Sequence, residues 1–360
     1  LVRQAPAGLT KAFFVGSGSE AVEAAMKLAR QYFLEIGQPK RRLFIARERS
    51  YHGNTLGALA LGGDANRRTP YDPLLLPVTH ISPCYEYRGR RADESAEQYG
   101  RRVADELETA IQKLGAENVA AFFCETVVGA SLGCAAPVPG YLKRLREICD
   151  RHGVLLVFDE VMSGMGRTGH MYACAEDGVT PDILTMAKGL GGGYQPIGGL
   201  LIAQRVFDAI ADGSGALKHG QTYAGHTLAC AAALGVQKAI AEEGLLERVR
   251  SLSGLLFRRL GERFGQHPHV GDIRGRGLFI GLELVADRET KAPLDPQRKT
   301  WQRVRRAGFE EGFVCYPSGG CIDGVRGDHV VLAPPFILAD AQVDEIVDKL
   351  AKSIDRAVKG

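Results

Sequence analysis

Short apolar runs alternate with periodic segments through the first two-thirds of the chain. Such runs predict buried strands, and segments whose apolar residues recur every three or four positions predict helices. The predicted strands are KAFFV (11–15), RLFIA (42–46), VAAFFCE (119–125), VLLVFD (154–159), ILTMA (183–187) and IGGLLIA (197–203), and helices are predicted near 19–36, 139–152 and 224–243. Strands that alternate with helices favour an α/β fold, with a mostly parallel sheet covered on both faces.

The pattern changes after Leu245. A helix to about Phe264 precedes RGRGLFIGLELV (274–285), which alternates like a strand of a smaller, mixed sheet. A charged helix (about 297–312), FVCY, HVVLAPP and a final helix (339–358) follow. We therefore predict a large domain at 1–244 and a smaller α+β C-terminal domain at 245–360. Residues 62–100 form a long irregular segment rich in proline and arginine, and long loops in compact domains are usually functional.

Composition and charge limit the classes of protein to which the chain can belong. The 360 residues are 45% hydrophobic, which is enough for a large core. The 45 basic and 42 acidic residues are scattered and give a net charge of +3, which does not indicate a partner such as nucleic acid or an anionic membrane. Eight cysteines show neither CxxC nor zinc-ligand spacing, and no apolar run is long enough to span a bilayer. We expect a cytoplasmic enzyme without a metal site.

Two short motifs could each bind part of a ligand. In VGSGSEA (15–21), a strand leads through small residues into a helix, so backbone N–H groups and serine hydroxyls could hold an anion. An ordinary serine-capped helix explains this motif equally well. In SYHGNT (50–55), Tyr51 and His52 follow a strand and could stack on a planar ligand. A packed Tyr–His pair is the better explanation of this second motif when it is considered alone.

Two charged residues end apolar strands. Asp159 follows VLLVF at the strand's carboxyl end, where α/β sheets bind ligands. There it could keep a heteroaromatic nitrogen protonated. A helix cap or a salt bridge is the better explanation of Asp159 when it is considered alone. Lys188 directly follows ILTMA and precedes several glycines. Burial at this position would lower the pKa of its amine, and such an amine could form a Schiff base with an aldehyde. An anion cradle, a stacking ring, an acid and this lysine together predict pyridoxal 5′-phosphate (PLP) as cofactor.

With these motifs in hand, the chain resembles a class III, ω-type PLP-dependent aminotransferase of fold type I. The resemblance extends over GSGSEA, YHG, DEV…GMGRTG, PDI…AKGLGGG, GQTYAGHTLACAAAL (220–234), RGRGL and LAPP. It implies a transaminase that moves an amino group between an amine or amino acid and a keto acid. The same family contains aminomutases, racemases and phospholyases, which use the same lysine and acid. A nucleotide-binding oxidoreductase is a more distant alternative, because GSGSEA is a poor dinucleotide motif.

The resemblance also implies a function for individual residues. Lys188 would carry the cofactor and transfer protons, and Asp159 would pair with its ring nitrogen. The remaining cofactor contacts would be Ser17, Gly18 and Ser19 at the phosphate, Tyr51, His52 and Val161 at the ring, and Glu125 near the ring oxygen and the Asp159 site. Thr222 would reach the phosphate of a neighbouring subunit, which implies a homodimer, or a tetramer, with shared sites. Arg167 is expected to make a structural pair within the large domain.

Three departures from the family pattern affect the substrate. The chain begins close to the strand before GSGS, whereas the family carries an N-terminal segment there. The stretch before APP lacks the arginine found in many α-amino-acid or ornithine-type members, so Arg326, in the loop Gly319–Asp328, is the candidate for binding a carboxylate. Met162 stands where some members have glutamine. We therefore expect ω-amino acids or amines as donors and a keto acid such as pyruvate as acceptor.

Overall fold

A computed structural model describes residues 1–359, which form two sheets packed with helices. The strands are β1 (Leu9–Val15), β2 (Leu43–Arg47), β3 (Val78–Ile81), β4 (Val119–Glu125), β5 (Leu155–Asp159), β6 (Ile183–Met186), β7 (Gly198–Ala203), β8 (Val270–Arg276), β9 (Phe279–Asp287), β10 (Ala292–Pro293), β11 (Tyr316–Gly319) and β12 (Asp328–Leu332). The α-helices are α1 (Gly18–Glu35), α2 (Leu56–Leu61), α3 (Ala65–Arg68), α4 (Glu86–Gly89), α5 (Ala96–Leu114), α6 (Tyr141–His152), α7 (Gln204–Asp212), α8 (Thr227–Glu242), α9 (Leu245–Phe264), α10 (Thr300–Glu310) and α11 (Asp340–Lys359).

The large sheet contains seven strands in the order β1-β7-β6-β5-β4-β2-β3. The pairs β2/β3, β2/β4, β4/β5 and β5/β6 are parallel, whereas β7 runs antiparallel to both of its neighbours. The expected α/β fold with a mostly parallel sheet is confirmed. Because connected parallel strands end on the same side, the carboxyl ends of β2, β4, β5 and β6 share one edge.

Apolar residues cover both faces of this sheet, which explains why its central strands are continuously apolar. All seven residues of β4 and all five of β5 are buried. On one face they pack with α5 and α6, through residues such as Leu107 and Leu145. On the other face they pack with α1, through residues such as Ala25 and Leu28. This two-sided core holds the strand ends in fixed positions.

The predicted irregular segment 62–100 is more ordered than the sequence indicates. It contains α3, α4 and the start of α5, and β3 adds an edge strand to the large sheet. The four residues of β3, VTHI, are too few for the alternation of apolar and polar residues to be recognised.

The small sheet is antiparallel in every pairing that residues 1–359 contain, so the expectation of a mixed sheet is wrong. The stretch 274–285 is also not a single strand. Gly277, with a φ of 59°, turns the chain so that Arg276 pairs with Phe279 and β8 and β9 form a hairpin. A Cβ on Gly277 would lie 2.5 Å from the backbone of Thr168, so glycine is required at this turn.

The small sheet has its own core, formed largely with α9, α10 and α11. The proposed division between residues 244 and 245 falls immediately before α9 and remains a prediction. Within residues 1–359, no helix is long and apolar enough to cross a membrane. Location in the cytoplasm also remains a prediction.

Candidate functional site

Four neighbouring strands bring the predicted site residues to one edge of the large sheet. Glu125 at the end of β4 pairs in register with Asp159 at the end of β5, and Asp159 pairs with Thr185 of β6. Lys188 follows β6 after a sharp turn. On the far side, β2 ends at Arg47 and the chain continues to Tyr51. The sheet topology therefore gathers residues that are more than a hundred positions apart in the sequence.

This edge forms one wall of a cavity of about 1180 Å³. Residues from both sheets line it. The large-sheet side contributes Gly16, Ser17, Gly18, Ser19, Tyr51, His52, Glu125, Asp159, Val161, Met162 and Lys188, and the small-sheet side contributes Val314, Tyr316, Ser318, Gly319, Gly320 and Leu332 to Pro335. A cavity of this size has room for a cofactor-sized ligand together with a second small molecule, since typical ligand pockets measure about 300–1,000 Å³.

Asp159 is buried and oriented by two hydrogen bonds. Its Oδ2 lies 2.8 Å from Nδ1 of His52, and its Oδ1 accepts a bond of 2.9 Å from the Val161 N–H. Burial alone would lower the pKa of His52, but the bond to Asp159 and the nearby charge of Glu125 outweigh burial and raise it. The ring of His52 contacts the edge of Phe123. His52 therefore orients Asp159, and its suggested contact with a planar ligand remains a prediction.

Glu125 is held by the last residue of β2 and by the segment that follows this strand. Its Oε1 accepts a bond of 3.1 Å from the Tyr51 N–H. Its Oε2 lies 3.2 Å from the guanidinium of Arg47, which also donates to the Glu125 carbonyl oxygen at 2.6 Å. Arg47 is fully buried and its pKa is raised, because its negatively charged and polar neighbours outweigh burial. These bonds fix the backbone of Tyr51, whose ring lines the cavity.

Lys188 projects its side chain into the cavity from a strained backbone. Its φ of 40° lies in the left-handed region, which is unfavourable for residues with a Cβ. The side chain of Lys188 is exposed to the open cavity, although protein atoms surround the amine on the other sides. This enclosure lowers the pKa of Lys188, and the charges of Asp159 and Glu125 oppose the shift only in part. A lowered pKa increases the fraction of neutral, nucleophilic amine at pH 7.

The GSGS turn presents free N–H groups at the start of α1. The Ser17 side chain caps the helix by accepting from Glu20 N at 3.2 Å, and the Glu20 carboxylate accepts from Gly16 N at 2.6 Å. Within residues 1–359, the N–H groups of Gly18 and Ser19 have no acceptor. Both face a cavity at a helix N-terminus, where partial positive charge favours an anion.

Gly18 also packs directly against Val161. A Cβ on Gly18 would lie 3.1 Å from Cγ1 of Val161 and 3.5 Å from the side chain of Ala187. The anion cradle and the apolar wall beside Asp159 are therefore in contact. A side chain at this position would require Val161 to shift by a few tenths of an ångström.

The residue after Asp159 has a different environment, as the alternation of a strand requires. Glu160 is fully buried, and its carboxylate accepts bonds from Thr126 Oγ1 at 2.9 Å and from the N–H groups of Ala173 and Cys174, each at 2.7 Å. Burial raises the pKa of Glu160 despite these bonds. Glu160 is thus a structural anchor for the segment that follows.

Arg167 does not make the expected pair within the large domain. Its guanidinium donates to the carbonyl oxygens of Leu278 at 3.1 Å and Pro334 at 2.6 Å, and it lies 4.6 Å from the ring centre of Phe336. Burial lowers the pKa of Arg167 to about 10, because a fully charged partner is lacking among the described residues. Arg167 therefore joins the large domain to segments near the small sheet.

Two predicted residues lie outside the lining of the cavity. Thr222 is exposed in a turn before α8. Arg326 is also exposed, and its Nε pairs with Asp323 at 2.5 Å within the loop between β11 and β12. Their suggested contacts, with a neighbouring subunit and with a substrate carboxylate, remain predictions.

The sequence did not single out three arginines near the cavity. Arg47 holds Glu125, Arg49 and Arg67 line the cavity, and the Arg67 guanidinium lies 4.7 Å from the ring centre of Tyr51. Arg47 could have been noticed as a charge directly after a buried strand. Arg49 and Arg67 lie in polar segments where arginine is common, so the sequence carries no comparable signal for them.

Known proteins are similar to this chain over nearly its full length. Residues 1–354 match the family model for class-III aminotransferases. An uncharacterized aminotransferase of Schizosaccharomyces pombe is 48% identical, over 99% of this chain and 78% of the relative. An adenosylmethionine-8-amino-7-oxononanoate aminotransferase of Nitratidesulfovibrio vulgaris is 38% identical, over 97% of this chain and 64% of the relative. The crystal structure of a thermostable omega transaminase 4-fold mutant from Pseudomonas jessenii has a TM-score of 0.92 at 36% identity, over 100% of this chain and 78% of that chain.

Proposed function

The chain belongs to the class-III aminotransferase family, whose members depend on PLP, and we propose that it moves an amino group between an ω-amino acid or amine and a keto acid such as pyruvate. One observation carries the proposal. A lysine amine of lowered pKa, a buried carboxylate and the open N-terminus of a helix border the same cavity.

The residues present fit PLP. The unpaired N–H groups of Gly18 and Ser19, with the Ser17 hydroxyl, would hold the phosphate. The Ser19 hydroxyl donates to Asn54 Oδ1 at 3.0 Å and would rotate away from this bond to reach the phosphate. Asp159, whose orientation is fixed by His52, would face the ring nitrogen. The ring would lie between Tyr51 and Val161, and Lys188 would hold the aldehyde carbon through Nζ. Glu125 would line the same end of the cavity.

PLP supplies an aldehyde that bonds to amines and a ring that withdraws electrons from the carbon next to the nitrogen. The protein residues would orient the reaction and move protons. Asp159 would keep the ring nitrogen protonated, because a carboxylate within hydrogen-bond distance favours the cationic form. The Lys188 amine would take a proton from the substrate carbon and return it at a different atom. The walls from the small sheet would exclude water from this site.

We also propose a homodimer with shared sites. The helix α8 is apolar on most of its surface, and Leu228 and Leu234 are each 57% exposed. Tyr223, next to Thr222, is 72% exposed. A second copy of the chain covering this surface would bury these side chains and would bring its Thr222 toward a neighbouring phosphate.

The test uses the purified protein loaded with PLP. We expect a visible absorbance band that borohydride removes, with a reduced adduct on Lys188, and neither feature in Lys188→Ala. We also expect a 5-aminopentanoate or amine donor to pass its amino group to added pyruvate. A wild-type adduct on any residue other than Lys188 would refute the assignment of the lysine. An adduct on Lys188 without transfer to any keto acid would favour an aminomutase, racemase or phospholyase.

A further inference from the structure

Apart from Lys188 and Arg49, the charged side chains that line the cavity all have ion-pair partners within residues 1–359. His52 pairs with Asp159, Arg47 pairs with Glu125, and Arg67 pairs with Asp64 at 3.2 Å. The half-buried guanidinium of Arg49 also lines the cavity, but within residues 1–359 no carboxylate lies within 4.0 Å of it. A partly enclosed arginine presents several unpaired donors in a planar arrangement that matches a carboxylate.

The backbone of Arg49 is held in an unfavourable conformation. Its φ of 55° is in the left-handed region. Two contacts fix it there: Arg49 N donates to the carbonyl oxygen of Gly63 at 3.1 Å, and Ser131 Oγ donates to the carbonyl oxygen of Arg49. The preceding Glu48 is exposed, so the turn brings the side chain of Arg49 to the cavity. Strained backbone that is held by its surroundings is often found at ligand sites.

The far end of the Arg49 side chain lies on the small-sheet side of the cavity. Its Nη1 is 3.0 Å from the position that a Cβ on Gly324 would occupy, and the Gly324 carbonyl oxygen accepts a bond from Asn66. The nearby walls consist of small residues, Gly129 to Ser131 and Ser318 to Gly320. Lys188 instead belongs to the edge of the large sheet. The free cation and the amine therefore belong to two different walls of one cavity.

We propose that Arg49 binds a donor carboxylate that lies several bonds away from the reacting amine. The preferred donors would then be ω-amino acids rather than simple amines. This preference rests on the proposed transaminase function, whereas binding of a carboxylate by Arg49 does not. The bond is bidentate, from the guanidinium to the two carboxylate oxygens. The cavity walls of small residues leave room for the methylene chain between the two ends.

Binding of a ligand without an amine tests the site separately from catalysis. Pentanoate and neutral pentanamide are titrated calorimetrically into the PLP-loaded wild type, Arg49→Asn and Lys299→Asn. Asparagine tolerates the left-handed backbone. Lys299 is a matched control, because it is an exposed cation with a φ of 49° that lies outside the cavity lining. We expect the Kd for pentanoate to rise about 10- to 100-fold in Arg49→Asn alone, as is typical when a hydrogen bond to a charged group is lost. Equal pentanoate affinity in wild type and Arg49→Asn would overturn the proposal.

Kinetics with matched donors supply the second test. For 5-aminopentanoate we expect KM to rise about 10-fold or more in Arg49→Asn, whereas kcat/KM for pentylamine stays unchanged. Arg49→Lys keeps the charge but loses the planar fork, and should recover part of the loss. Equal losses with both donors would show that Arg49 only supports its turn, and would overturn the proposal. If the wild type transfers no amino group at all, the proposed function fails, and the pentanoate titration still decides the assignment of Arg49.

Discussion

Nδ1 of His52 lies 2.8 Å from Oδ2 of Asp159, and both side chains are almost fully enclosed by protein. The bond connects the turn after β2 with the end of β5, two strands that are separated in the sheet by β4. It leaves Nε2 of His52 as a buried nitrogen without a partner among the described residues. The protonated imidazole is therefore stabilised mainly by Asp159 and by the nearby Glu125.

His52→Phe keeps the ring volume and removes this bond. We expect the free energy of unfolding to fall by about 3–5 kcal/mol near pH 6, the usual range for breaking a buried pair. Because the folded-state pKa of His52 is raised, the stabilisation is complete below the unfolded pKa and is lost as pH rises through the folded pKa. Denaturant unfolding of wild type and variant at pH 6 and pH 9 measures the difference. A difference that is equal at both values would contradict the pairing.

Gly18→Ala should weaken the binding of PLP by about 10-fold, because the added methyl lies 3.1 Å from Val161 and forces one of the two cofactor walls to move. Fluorescence titration of the apoprotein with PLP measures the effect. In Gly18→Ala/Val161→Ala the added methyl has space, so the two changes should not be additive. Strictly additive losses of affinity would show that the contact is unimportant for the cofactor.

A shared site predicts complementation between two inactive variants. Thr222→Asp adds a negative charge beside the neighbouring phosphate, and Lys188→Ala removes the amine of its own site. If Thr222 serves the partner subunit, a mixed dimer contains one site with both wild-type residues, so mixing should restore up to about half of the activity per mixed dimer. Mixing that restores no activity, in dimers whose exchange is verified by mass spectrometry, would place Thr222 in the site of its own chain.

Arg326→Ala tests whether the loop between β11 and β12 binds the acceptor carboxylate. The present pair with Asp323 is exposed, and exposed pairs contribute about 0–1 kcal/mol, so Arg326 can leave it at low cost. We expect kcat/KM for pyruvate to fall about 10-fold or more, and kcat/KM for a neutral aldehyde to change little. Equal losses for both acceptors would remove Arg326 from substrate binding.

Asp328, at the start of β12, should make stability depend on pH. Burial raises its pKa to about 6, and its Oδ2 has no partner among the described residues. A raised pKa means that stability is complete below the unfolded value and decreases as pH rises through about 6. Asp328→Asn should therefore gain about 1–2 kcal/mol relative to wild type between pH 4 and pH 8. Unfolding measured across this range checks the sign, and a gain that shrinks with pH would contradict it.

The sequence predicted the large sheet well because its central strands are buried on both faces. VAAFFCE and LLVFD are continuously apolar up to Glu125 and Asp159, and β4 and β5 end at these residues. In a parallel sheet the carboxyl ends of neighbouring strands lie together, so the sequence alone predicts that Lys188 and Asp159 share one edge.

Other features depend on contacts between distant segments and could not be predicted this way. The partner of Asp159 is His52, 107 positions earlier in the chain. The pattern of apolar residues carries no information about such a pair. The hairpin of β8 and β9 depends on a turn at Gly277. In the sequence, this glycine cannot be distinguished from the other small residues of an alternating strand. The position of Arg49 depends on a left-handed turn that its own residue type disfavours.

The carbonyl contacts of Arg167 have a mechanical consequence. One guanidinium holds Leu278, in the turn of the β8–β9 hairpin, and Pro334, in the wall of the cavity. Both acceptors are neutral dipoles, so added salt screens these contacts far less than it screens a surface ion pair. One guanidinium therefore anchors the hairpin turn and the cavity wall at the same point, and this anchoring persists at high ionic strength.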